Sequence, residues 1–225
     1  VEPMLPVELS DGICSLNPNV PRCAVTTEIE FDKEGNVVKK RMFPSIIKSK
    51  KKMNYDAVNK IFAGEKVEGY EEFESVLFKM LELSKLLKKK KLERGEIEFD
   101  SSEIKLVVDE NGKVTDIKKR TSGLGEELIE EFMIASNEAS ISLVNEKTGL
   151  GIYRVHGKPT PKKIEEFVKF MSTLGYSMKG KFNYSDISNK NIQNIMEFIK
   201  ETKDKEILSK KLLRSMQKAV YSTDN

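Results

Sequence analysis

Two alternating apolar runs around a glycine turn constrain this chain more than any other feature. Cys23, Val25, Thr27, Ile29 and Phe31 recur at every second position, which puts them on one face of a strand. Asp32-Lys33-Glu34-Gly35-Asn36 follows, and Gly35 can take the positive φ that a tight reversal needs. Val37 to Ile47 then returns, so a β-hairpin is expected here. A second hairpin repeats the logic: Ile104, Leu106 and Val108 alternate, Asn111-Gly112 turns, and Val114 to Arg120 comes back.

Elsewhere the apolar period changes from two to about 3.6. Asn54 can cap a short helix from Tyr55 to about Ala63. Residues 70–92 carry Phe73, Val76, Leu77, Met80, Leu83 and Leu87 at helical spacing, ending in Lys88-Lys89-Lys90-Lys91 where cations suit the helix dipole. From about Leu124 to Asn145 the stripe is Leu124, Leu128, Phe132, Ala135, Ala139 and Leu143. Gly149 and Gly151 then flank a brief apolar strand, Ile152 to Val155. Three helices close the chain: Thr160 caps the first, Pro161 opens it and Gly175 stops it. The second presents Ile192, Ile195, Met196 and Ile199, and the third Leu208, Leu212, Met216 and Ala219. These stripes read as core faces. Hairpins interleaved with helices define an α+β fold with mixed or antiparallel sheet packed by helices. The prolines at 3, 6, 18 and 21 mark the first residues as an extended connection.

Charge does not choose a partner: 39 Lys and Arg against 36 Asp and Glu leave +3, and local patches matter more than such a sum. The cysteines, Cys14 and Cys23, make no CxxC, and a single histidine, His156, speaks against a Cys/His zinc site. Two lone cysteines in a Lys/Glu-rich chain are expected to stay reduced. No segment reaches the roughly 18 apolar residues that span a bilayer. The start lacks both a signal-peptide pattern and methionine, so a cytoplasmic protein with its true beginning upstream is expected.

A search for chemistry finds no complete active site. There is no GxSxG elbow, no Walker loop and no HExxH, and Gly149-Leu150-Gly151 is too short for a dinucleotide fingerprint. No nucleotide cofactor is expected. Glu126, Glu127, Glu130 and Glu131 gather at one helix start, and Glu127 and Glu131 share a face. Such carboxylates can bind metal, although a solvated helix start accounts for them equally. Lys118-Lys119-Arg120 ends a strand and can meet phosphate, or simply be solvated. Tyr153-Arg154-Val155-His156 offers a stacking ring with phosphate donors at a strand, a combination that suits single-stranded nucleic acid.

At this point several blocks resemble a known family. Pro3-Met-Leu-Pro6, Leu9-Ser-Asp-Gly-Ile-Cys-Ser-Leu-Asn-Pro18, Phe43-Pro-Ser-Ile-Ile-Lys48 and Tyr55-Asp-Ala-Val-Asn59 are similar to the RNB catalytic domain of ribonuclease II and ribonuclease R. So are Arg94-Gly-Glu-Ile-Glu-Phe-Asp100, Leu128-Ile-Glu-Glu-Phe-Met133 with Asn137, Tyr153-Arg-Val-His156 with Pro159, and Leu213-Arg-Ser-Met216 with Ala219 and Tyr221-Ser222. The blocks stand in the family's order over essentially the whole chain, and those at Arg94 and Leu213 are nearer the ribonuclease R branch. The resemblance implies residues 1–225 as a partial RNB catalytic domain, cut at both ends. It implies processive hydrolysis of single-stranded RNA from the 3′ end, with release of nucleoside 5′-monophosphates, by an enzyme that is monomeric at full length. It also implies Mg2+ on an aspartate cluster.

That cluster, Asp-x5-Asp-x-Asp-Asp, has no counterpart in this sequence and would lie upstream of Val1. The expectation is therefore a stretch with no catalytic residue and no metal ligand of its own, inactive in isolation. Leu150 falls where ribonuclease II carries a base-stacking phenylalanine, and Tyr153, Arg154 and His156 are the other expected RNA-contacting residues. A non-catalytic RNB-like RNA-binding or scaffold module is the competing reading.

Overall fold

The computed structural model describes residues 4–97, 103–110, 112–120, 122–177 and 187–224. The expected turn residue Asn111, Phe99 and Asp100 of the family block, and Pro3 lie outside them. The chain divides into two units: residues 1–88 with 122–151, and residues 89–121 with 152–225. In both, alternating runs pair antiparallel and helical stripes pack, so the fold is α+β as expected.

In the first unit, β1 (Pro21–Phe31) pairs antiparallel with β2 (Val37–Lys48), with Glu28 opposite Arg41 and a register shift at Glu30/Phe31. Gly35 has φ +76°, and the Asp32 carboxylate accepts from the Glu34 and Asn36 N–H groups, which closes the turn. The alternating face of β1 divides: Cys23 and Val25 are exposed, while Thr27, Ile29 and Phe31 are half-buried. Helix α1 (Tyr55–Phe62) is capped by Asn54, whose Oδ1 accepts from Ala57 N at 2.8 Å. Helix α2 (Glu74–Glu93) follows a short 3₁₀ turn, and its last turn counts with the second unit. Its buried positions are Leu77, Leu81, Ser84 and Lys91, whereas Val76 is exposed. The stripe therefore sits one position round from the one that spacing alone suggests.

Helix α3 (Leu124–Thr148) is the long strut of this unit and ends on Gly149 at φ +70°. Thr27 and Ser140 share a hydroxyl hydrogen bond of 3.0 Å, and Lys40 of β2 donates to Ser142 and pairs with Glu146 at 2.7 Å. The hairpin thus lies along the second half of α3. Around α1 a core of Ala57, Val58, Ile61, Tyr70 and Leu77 forms, flanked by Met53, Phe73 and Met80.

The second unit is led by three helices: α4 (Pro161–Thr173), α5 (Asn189–Lys200) and α6 (Lys205–Ser215). Thr160 and Ser188 cap α4 and α5 through their hydroxyls. Ile164, Phe167, Met171, Ile192, Ile195, Ile199, Leu208 and Leu212 are all essentially sealed from water in one cluster. The expected stripe of α5 lies in this core, and α4 adds Ile164, Phe167 and Met171 to it. The end of α2 is held by α5: Gln193 Nε2 donates to Leu92 O and Glu96 O at 2.9 and 2.8 Å. Gly95 turns there at φ +100°, beside the ion pair of buried Lys91 with half-buried Glu96. Two antiparallel ribbons complete the unit: β3 (Glu103–Val108) with β4 (Val114–Arg120), and β5 (Tyr153–His156) with β6 (Ala219–Ser222).

The stripe expected for the last helix ends earlier than its apolar spacing suggests. Ala219 does not continue α6. The helix stops at Ser215, Met216 turns extended at ψ 152°, and Ala219 opens a strand. Val220 and Tyr221 favour a pleated chain, and β5 offers them a partner.

Candidate nucleic-acid interface

The four residues singled out from the sequence fall in different units. Leu150 belongs to the first, just after the glycine that ends α3. It is 64% exposed, and its N–H is taken by Thr148 Oγ1 at 3.2 Å, so the side chain stands clear on a fixed backbone.

Tyr153, Arg154 and His156 lie on β5 in the second unit. Strand alternation sends Tyr153 and Val155 to one face, where both are half-buried, and Arg154 and His156 to the other, where both are exposed. The register adds a residue that spacing could not place. Tyr221 of β6 pairs with Arg154, and Ala219 with His156. Residues directly opposite in an antiparallel pair hold their Cβ atoms about 5 Å apart on the same face. Arg154, His156 and Tyr221 therefore share one surface, with the Tyr221 ring 76% exposed. Tyr153 is on the reverse side, opposite Ser222. Among the described residues, none of the Arg154, His156 and Tyr221 side chains makes a hydrogen bond or ion pair. This face offers an aromatic plane, a fixed cation with a planar fork of donors and an imidazole, held on a two-stranded ribbon.

The acidic group at the start of α3 has structural work instead. Glu126 Oε2 accepts from Gly123 N at 3.1 Å and from Asn59 Nδ2 at 2.9 Å, while Asn59 Oδ1 accepts from Gly125 N at 2.7 Å. Glu127 pairs with Lys88 at 3.0 Å, and Glu131 is buried. Among the described residues, no three His, Cys, Asp or Glu side chains are grouped to hold a metal ion. The described donor set does not fit the magnesium that the family resemblance implies, and no catalytic step is derived through it. For Lys118, Lys119 and Arg120, the backbone is a strand end, as expected. Beside α1, Met53, Val58, Phe73, Val76, Met80 and Ile129 line an apolar hollow of about 390 Å³ in the first unit. Among the described residues, no helix is long and apolar enough to cross a membrane.

This combination of fold and exposed ribbon has relatives. The RNB domain model matches residues 1–225, and the chain belongs to the RNB family. It is 40% identical over its full length to Ribonuclease R 1 of Lactococcus lactis, covering 28% of that protein, and 37% identical to Ribonuclease R of Thermotoga maritima, covering 32%. The chain thus spans about a third of the length of these curated relatives. Its fold is similar to ribonuclease R of Mycoplasma genitalium, solved in complex with ribose-methylated single-stranded RNA. There the TM-score is 0.89 at 32% identity, over 99% of this chain and 34% of that one. The Mycoplasma protein has also been solved in complex with double-stranded RNA.

Proposed function

We propose that these 225 residues serve within a ribonuclease R-like 3′→5′ exoribonuclease that hydrolyses single-stranded RNA processively to nucleoside 5′-monophosphates. One observation carries the reading: a fold shared over 99% of the chain with a ribonuclease R solved on single-stranded RNA, at 32% identity. RNA contact is assigned to Leu150, Tyr153, Arg154 and His156. Magnesium and the water that it would activate belong to the proposed whole enzyme, because the sequence holds no Asp-x5-Asp-x-Asp-Asp pattern. A cytoplasmic location agrees with two exposed, unpaired thiols, Cys14 and Cys23.

The test uses the 225-residue chain with end-labelled single-stranded RNA and magnesium. Binding is expected to weaken steeply as salt rises, because phosphate contacts release counterions. No shortening of the strand is expected. Absence of binding at low salt refutes the RNA reading, and stepwise release of mononucleotides by this chain refutes the assignment of the chemistry elsewhere.

A further inference from the structure

We infer that the exposed face of the β5–β6 ribbon reads a single unpaired nucleotide, with Tyr221 stacking on the base and Arg154 holding its phosphate. The assignment rests on the RNA reading above and adds to it a residue, a division of labour and a substrate form.

The ribbon fixes the geometry. Arg154 and Tyr221 are register partners on antiparallel strands, so neither reaches the other through flexible loop. Tyr221 is 76% exposed beside a cation, and the pair does not belong to the core of its unit: the α4–α6 cluster contains neither residue. On the reverse face Tyr153 and Val155 are half-buried, whereas Arg154 and His156 are exposed. The chemistry then selects the ligand. A phenol ring accepts any base through its π-face, while a guanidinium next to it takes the negative phosphate in a forked pair of hydrogen bonds. Among the described residues, no carboxylate claims the Arg154 side chain. His156, two residues along on the same face, extends the donor row in the strand direction, as a backbone of successive phosphates requires. Stacking needs a base whose face is free, and a duplex offers its faces only to neighbouring base pairs. The platform therefore favours single strands and is indifferent to which base it meets.

The experiment measures binding of the 225-residue chain to a labelled oligoadenylate, to the same strand carrying abasic sites, and to a duplex of the same length. The wild-type chain should prefer the base-bearing strand. Tyr221→Ala should lose roughly tenfold on that strand, close to what one stacked base contributes, and bind the abasic strand and the duplex as before. Tyr221→Phe should restore the preference, which separates stacking from a folding defect. Arg154→Ala should weaken both single strands alike and flatten the salt dependence, and Arg154→Lys should recover the slope. A folded Tyr221→Ala chain that keeps the full base preference overturns the platform and leaves the RNA reading standing. Equal Tyr221 dependence on the duplex overturns it too. Tighter binding of an acidic peptide than of RNA overturns the ligand class. A wild-type chain that binds no RNA removes the reading beneath it.

Discussion

Position 123 is glycine because another residue occupies the place of its side chain. Helix α3 begins there, and a helix start ordinarily takes Ser, Thr, Asp or Asn to accept an otherwise unmet backbone N–H. Here Asn59 of α1 performs that task from outside, accepting from Gly125 N at 2.7 Å, while Glu126 reaches back to Gly123 N. A Cβ at 123 would stand 2.6 Å from Asn59 Cγ. The two positions are coupled, and their mutations should not add. Asn59→Ala should cost about 1–2 kcal/mol by stranding the Gly125 N–H. Gly123→Ser should cost about 1–3 kcal/mol by crowding Asn59. The double variant Asn59→Ala/Gly123→Ser should lose clearly less than their sum, since serine then caps its own helix. Urea titrations of the four proteins check this, and strict additivity would contradict the shared cap.

Between elements, charge ties the β1–β2 hairpin to α3 and to itself. The Lys40 ammonium and the Ser142 hydroxyl hold Glu146 below the ordinary carboxylate range, and the Arg41 hydrogen bond does the same for Glu28. Carboxylates depressed in the folded chain stay ionised after the unfolded chain has taken up its protons. Their contribution is present above the ordinary value near 4.5 and is lost as pH falls through the lower folded values. Thermal melts should therefore show stability falling as acid is added below about 4.5. Glu146→Gln should make that part of the slope shallower. Both pairs are exposed, so the effect at neutral pH should be small and should shrink further in salt. The same scale shows what a reader of the sequence can and cannot find. Asn54, Thr160-Pro161 and Gly175 announce helix ends through chemistry within a few residues, and the structure uses each of them so. Strand β6 carries no such announcement. Its four residues continue the apolar rhythm of α6, and only the distant β5 makes them a strand. The same distance hid Tyr221 as the partner of Arg154 and Asn59 as the cap of α3. Each is local in space and remote in sequence.

At the scale of the whole chain, each unit has its own buried cluster. The α4–α6 cluster is the drier of the two, with Ile195, Ile199, Leu208 and Leu212 at 0% exposure. Ile195→Ala should cost about 2–5 kcal/mol through lost transfer energy and a residual cavity. Val25→Ala, at a site 70% exposed, should stay within about 0.5 kcal/mol. Chemical denaturation monitored by helix content distinguishes them, and comparable losses would mean that the cluster is not the core of its unit. The family follows from the match over residues 1–225, and the pairing of Arg154 with Tyr221 from the strand register. That register also sets an order of events in synthesis. Helices α4, α5 and α6 lie between β5 and β6, so closing the ribbon waits until α6 has emerged and folded back, a contact of high sequence separation. A nascent chain halted before Tyr221 presents Arg154 without its aromatic neighbour, and the face proposed for a nucleotide is complete only once β6 has joined β5.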